Sequence, residues 1–245
     1  MTDQLQTGPP SSHLGSPPKG IILFLHGFCS DAETWGDMKG LLQQDASITE
    51  RYELESYSYT TKLFEWNPIA KIPELKELGE QLATEIDSPK YRGRPLTLVG
   101  HSQGGLIIQS YFAAMAEKKA ENLRHVRQAI FFATPSEGSN IGSALRSFVF
   151  ALFDNSQERT LRVLNSEVFD IRTKVREQIV EASTDSEHAW RVPIHAFYGL
   201  RDRVVQRPSA TSVFSNTNAL AGTHLDIHRP RDLKDRRYLE FAEVL

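Results

Sequence analysis

The hydrophobic and polar positions of the chain fall into two alternating rhythms. Ile21–Leu25 is a continuous apolar run that stops at His26-Gly27, the pattern of a short strand buried on both faces. Asp31 stands where it can cap a helix reaching about Gln44, with Trp35, Met38, Leu41 and Leu42 along one side. Tyr52–Tyr59 alternates and is rich in aromatic residues, which predicts a second strand. Pro73 can open the next helix, in which Leu75, Leu78, Leu82 and Ile86 fall on one stripe. Leu96–Val99 is again an unbroken apolar strand; it turns at Gly100–Gly104 into Leu106–Met115, apolar nearly all round and therefore a central helix. Val126–Ala133 and Val192–Tyr198 read as further strands, and a short last strand precedes His224. Asp232 can cap a final amphipathic helix holding Leu233, Tyr238, Leu239, Phe241 and Val244.

Strands separated by helices predict an α/β fold with a mostly parallel sheet of about six strands. Right-handed crossovers then cover both faces with helices and leave active groups at the carboxyl ends of the strands. Residues 138–190 break the rhythm with two helical patterns in succession and no strand between. The first is Ile141, Leu145, Phe148 and Leu152, and the second Leu161, Leu164, Val168, Ile171 and Val175. Such an insertion at a strand end reads as a helical cap over a site, with extra scaffold helices as the alternative. Residues 1–19 carry Pro9, Pro10, Pro17 and Pro18 among Gly, Ser, Thr and Gln, and read as a disordered leader. One domain over 20–245 remains.

Composition narrows the function classes. With 28 Lys+Arg against 31 Asp+Glu over 245 residues, the net charge of −3 argues against a nucleic-acid binder. The single cysteine, Cys29, permits no internal disulfide and no Cys-rich zinc site, and reads as a small packing residue. Apolar runs such as Phe148–Phe153 reach about a third of the ~20 residues a membrane-spanning helix needs. No basic-then-apolar signal opens the chain, so a cytoplasmic protein without a transmembrane segment is expected. Arg229, Arg231, Lys234, Arg236 and Arg237 form a basic cluster partly balanced by Asp232 and Asp235. It reads as a solvated helix face, with peripheral contact to anionic lipid headgroups as the alternative. No phosphate-binding glycine loop, dinucleotide fingerprint or metal-ligand cluster occurs, so catalysis is expected to need neither cofactor nor metal.

The chemistry concentrates at Gly100-His101-Ser102-Gln103-Gly104, between a buried strand and a buried helix. A serine on so sharp a turn needs a strained backbone, and side chains two residues to either side would collide; Gly100 and Gly104 remove them. Ser102 then projects clear of the sheet as a nucleophile, and the helix that starts here aims its first amides at a developing oxyanion.

At these residues the sequence resembles the α/β-hydrolase family, in its serine esterase and lipase branch. Leu23-Phe24-Leu25-His26-Gly27-Phe28 is similar to that family's oxyanion-loop motif. The resemblance implies that the Phe28 backbone N–H joins that of Gln103 in holding the oxyanion. Phe131-Phe132-Ala133-Thr134-Pro135, followed by Gly138-Ser139, resembles the Gly-Thr-Pro-x-x-Gly-Ser stretch of a smaller group. That group holds serine esterases of the SERAC type and inositol deacylases of GPI anchors, and Ala133 stands where it usually has glycine.

A nucleophilic serine needs a base, and the base an orienting acid; in this family they follow it in the order acid, then histidine. Asp202, after the strand Val192–Tyr198, resembles the acid-bearing turn, with Glu137 as runner-up. Of eight histidines, His224 in Gly222-Thr223-His224 resembles the family's Gly-x-His loop, with His228 as runner-up. His26 is expected to brace the oxyanion loop and His101 the elbow; His125, His188 and His195 stand at the opposite end of the strands. Phe148 and Phe150 could line an acyl pocket or be helix core. A small-molecule or lipid ester is the expected partner. Hydrolysis of a carboxylic ester leads the functional readings. The same machinery also serves acyl transfer to an alcohol and the cleavage of amides or thioesters, and a silent hydrolase fold would serve as a binding module.

Overall fold

The computed structural model describes residues 18–27, 32–59, 75–135, 158–205 and 213–245, with the backbone alone for 158–165. Among these residues six strands form one sheet: β1 Gly20–Leu25, β2 Tyr52–Tyr57, β3 Leu96–His101, β4 Val126–Phe132, β5 Ile194–Gly199 and β6 Asn216–Leu220. Their spatial order is β2-β1-β3-β4-β5-β6, and every neighbouring pair is parallel. The order reverses direction between β1 and β3, and ligand crevices in parallel sheets open at such a switch point.

Both faces of the sheet are covered, which is why the central strands read as unbroken apolar runs. Along β1, Ile21, Leu23 and Leu25 enter one core, while Ile22 and Phe24 enter the other. The first core lies beneath α3 Leu75–Ile86, α4 Gln103–Lys118 and α5 Glu158–Val175. The second holds Trp35 and Met38 from the segment containing α1 Gly36–Leu42, and Tyr238 and Phe241 from α6 Arg236–Glu243. The helix read as apolar all round is buried at every position from Gly104 to Ala116.

Local chemistry moves several boundaries. A 3-10 turn, Ala32–Trp35, precedes α1, while Asp31 lies outside the described residues. A short helix not anticipated, α2 Ala46–Thr49, is capped by the Asp45 carboxylate, which accepts from the Ser47 N–H. Strand β2 ends at Tyr57, two residues early, because Tyr59 leaves the ladder to donate its hydroxyl to the His26 carbonyl at 2.5 Å. The last helix starts at Arg236 and not after Asp232: Asp235 accepts the Arg237 N–H, and Asp232 caps only the turn at Lys234. As a result Leu233 and Leu239 are exposed while Tyr238 and Phe241 are buried. Arg237, expected on a solvated basic face, is instead buried; it pairs with Asp235 and donates to the Asp226 carbonyl.

Residues 1–17 of the expected leader, and 138–157 of the expected cap with Phe148 and Phe150, lie outside the described residues. The later part of the 138–190 stretch forms α5 and a π-helical turn, Arg176–Val180. Its Val168, Val175 and Ile179 join the core beneath α3 and α4, and Lys174 pairs with Glu117 of α4. Among the described residues no helix is long and apolar enough to cross a membrane.

Candidate active site

The carboxyl ends of β3, β5 and β6 bring three distant residues together. Ser102 sits between β3 and α4 at φ 51° and ψ −116°, a backbone conformation that L-residues adopt only under constraint. The close approach of glycines supplies the constraint. A Cβ on Gly100 would lie 2.5 Å from the Gly105 nitrogen, and one on Gly104 2.5 Å from the Leu25 carbonyl oxygen. A third glycine, Gly105, is as tightly placed: its Cβ would fall 2.0 Å from the Thr134 hydroxyl. Gly105 lies outside the five-residue motif, although two glycines in succession at a helix start were a readable sign.

His224 follows β6 on a loop held by Asp226, whose carboxylate accepts the Thr223 N–H. Its Nε2 lies 3.0 Å from Ser102 Oγ and its Nδ1 3.0 Å from Asp202 Oδ2. A carboxylate only accepts, so Nδ1 carries the hydrogen and Nε2 is left to accept from the serine hydroxyl. Asp202 turns its other oxygen to the N–H groups of Val204 and Val205, at 2.7 and 2.8 Å. All three residues are buried. Water therefore screens the pair weakly, and each hydrogen bond is electrostatically stronger than it would be in solvent.

The same geometry separates the two candidate bases. His228 lies behind the site with its ring 5.0 Å from Trp35 and 4.1 Å from His101, and neither ring nitrogen has a partner among the described residues. Burial holds its pKa down at about 3. Glu137 and Phe28 lie outside the described residues. Gln103 is the first residue of α4, where an N–H has no intrahelical acceptor and can point at an anion.

His26 and Tyr59 support the turn after β1. The His26 ring donates from Nδ1 to the Gly27 carbonyl at 2.8 Å and stacks on Tyr59 at 4.2 Å, 3° from parallel. Burial pushes the Tyr59 hydroxyl pKa up, so it remains a donor. Trp35 closes the same turn from the other face by donating to the Leu25 carbonyl at 3.1 Å. No sequence motif marked Trp35 or Tyr59 as neighbours of the site. His101 donates from Nε2 to the His224 carbonyl at 2.8 Å.

A strained serine at the switch point of a six-stranded parallel sheet is joined in order by an aspartate and a histidine. Residues 22–237 match the model of the alpha/beta hydrolase family. The chain belongs to that family. Among curated relatives it is 25% identical over 178 residues to Protein SERAC1 of Mus musculus, covering 62% of this chain and 27% of that protein. The chain thus spans about a quarter of that relative's length. Among solved structures, the RedJ thioesterase of the prodiginine pathway in Streptomyces coelicolor superposes with TM-score 0.56 at 12% identity, covering 97% of both chains. A thermophilic esterase from Thermogutta terrifontis gives TM-score 0.53 at 14% identity, over 92% of this chain and 90% of that one. At these identities the structural matches establish the shared α/β-hydrolase fold.

Proposed function

We propose that this α/β-hydrolase chain is a serine hydrolase that cleaves carboxylic esters through an acyl-enzyme on Ser102. The observation that carries the reading is the continuous path Ser102 Oγ, His224 Nε2, His224 Nδ1, Asp202 Oδ2, with both polar contacts at 3.0 Å. His224 takes the Ser102 proton as Oγ attacks the ester carbonyl carbon, and Asp202 fixes the tautomer and stabilises the imidazolium that forms. The carbonyl oxygen gains the negative charge and is held by the Gln103 N–H at the start of α4, joined by that of Phe28 as the family resemblance implies. Collapse breaks the bond to the leaving alkoxide, which takes the proton from His224 Nε2. A water then gives its proton to the same nitrogen as its oxygen attacks the acyl carbon; the bond from that carbon to Ser102 Oγ breaks, Oγ takes the proton back from His224, and the acid is released.

Esterase and thioesterase among proteins of the same fold support an acyl-transfer chemistry without choosing the leaving group. Ser102→Ala removes the only atom that forms a bond to substrate. The variant is expected to lose hydrolysis of p-nitrophenyl acetate and labelling by a fluorophosphonate while keeping the wild-type circular dichroism. Labelling at the wild-type rate would overturn the assignment.

A further inference from the structure

Two buried imidazoles beside the site take no part in the proton path just described. His101 ends β3 and His228 lies on the loop after His224, and both are almost wholly removed from solvent. Burial holds both pKa values below the ordinary imidazole range, so both rings are neutral. The Nε2 of His101 approaches a carbonyl oxygen, which only accepts, so Nε2 carries the hydrogen and Nδ1 is bare. That Nδ1 has no partner among the described residues, and it faces Gly27, whose added Cβ would lie 2.8 Å away. His101 therefore touches three segments at once. It is covalently next to Ser102, it packs on the turn after β1, and it hydrogen-bonds the main chain of His224. His228 backs it at 4.1 Å and is itself backed by Trp35.

A phenylalanine or leucine would fill this space without burying an imidazole nitrogen that finds no partner among the described residues, and leaving such a group unpaired is costly. What the imidazole offers in return, among the described residues, is a single hydrogen bond, the one to the His224 carbonyl. We propose that His101 is a positioning residue: its Nε2–H anchors the His224 main chain so that the ring stays between Ser102 and Asp202, with His228 as the wall behind it. The distances it controls, 3.0 Å on each side of the His224 ring, are those across which the proton passes. Substrate binding does not depend on them, so loss of the anchor belongs in kcat and not in KM.

This inference rests on the serine hydrolase reading, and its test separates the two. Wild type, His101→Phe, His101→Gln and His101→Asn are compared in hydrolysis of p-nitrophenyl acetate and in the proton NMR signal of the His224 Nδ1–H. Phenylalanine keeps the ring and loses the donor. Glutamine places an amide N–H near the Nε2 position, and asparagine is too short to reach. His101→Phe is expected to lose about 100-fold in kcat with KM unchanged within about twofold. The Nδ1–H signal broadens in the same variant, while His101→Gln keeps both kcat and signal. Equal kcat in the phenylalanine and glutamine variants, whether high or low, overturns the proposal. Should the phenylalanine variant not fold, equal kcat in the glutamine and asparagine variants does the same. An inactive wild type removes the hydrolase reading alone; a sharp Nδ1–H signal in the donor-less variant then overturns the anchor independently.

Discussion

Single side chains decide whether the proposed proton path exists. Asp202 shows this best, because its two oxygens do different work: Oδ1 ties down Val204 and Val205, and Oδ2 orients His224. Asparagine can preserve the first role through its carbonyl oxygen and fail the second, since its amide would meet an Nδ1–H with the wrong polarity. Asp202→Asn is therefore expected to cut kcat by about 10³–10⁴-fold, with thermal unfolding shifted by only a few degrees. Steady-state kinetics and calorimetry on one sample check both halves. Tyr59 makes the opposite case. Removing its hydroxyl takes a hydrogen bond from the buried His26 carbonyl, so Tyr59→Phe should cost about 1 kcal/mol in urea unfolding.

Elements place those residues, and strand β4 carries the clearest test. Ala133, just past its end, has φ 46°, in the left-handed region where a Cβ costs about 1–2 kcal/mol. The resembling sequences place glycine there, and this backbone angle supplies a reason. Ala129 lies in the regular part of the same strand and is equally buried. Glycine at either position loses a buried methyl and adds unfolded-state freedom, but only at 133 does it relieve strain. Ala129→Gly is expected to destabilise the chain by about 1 kcal/mol more than Ala133→Gly, as urea midpoints will report. Equal losses would remove the strain argument.

Element existence was legible in the sequence wherever burial on two faces forced an unbroken apolar run, as in β1, β3 and the buried helix α4. Boundaries were not. Asp232 and Asp235 are both competent caps, and only the burial of Tyr238 and Phe241 chooses between them. Tyr59 extends an alternating strand on paper and leaves it in space, because the carbonyl it serves belongs to His26, 33 residues earlier. The strained turn at Ser102 was legible because it demands glycines in the adjacent sequence. His224 was favoured over His228 only through resemblance to the Gly-x-His loop; in space His224 lies 3.0 Å from both Ser102 and Asp202, while His228 packs against Trp35. Phe28, Phe148, Phe150 and Glu137 lie outside the described residues.

The whole molecule titrates through its buried histidines. His101 and His228 are held neutral in the fold, His228 with a pKa of about 3, whereas an unfolded imidazole protonates near the usual 6.5. Below pH 6.5 the unfolded chain thus binds protons that the folded chain refuses, and stability falls as pH drops. Each such histidine contributes a limiting slope of about 1.4 kcal/mol per pH unit. Depressed carboxylates such as Asp235 and Asp226 add their loss only lower, as pH falls through and below about 3.8. Burial also lowers His125 and His195, with the same sign. Urea unfolding between pH 7.5 and 5 should therefore show declining stability, with a shallower decline in a folded His228→Gln variant. A flat profile would mean that the cluster is hydrated.

The proposed mechanism turns on acylation of Ser102 during turnover. Wild-type protein mixed rapidly with p-nitrophenyl acetate, quenched in acid and digested, will reveal by mass spectrometry where the acetyl group resides. One acetyl group is expected on the peptide containing Ser102, formed within the first turnover and absent from Ser102→Ala. Turnover with no acylated peptide, or with the acetyl group on any other residue, would contradict it.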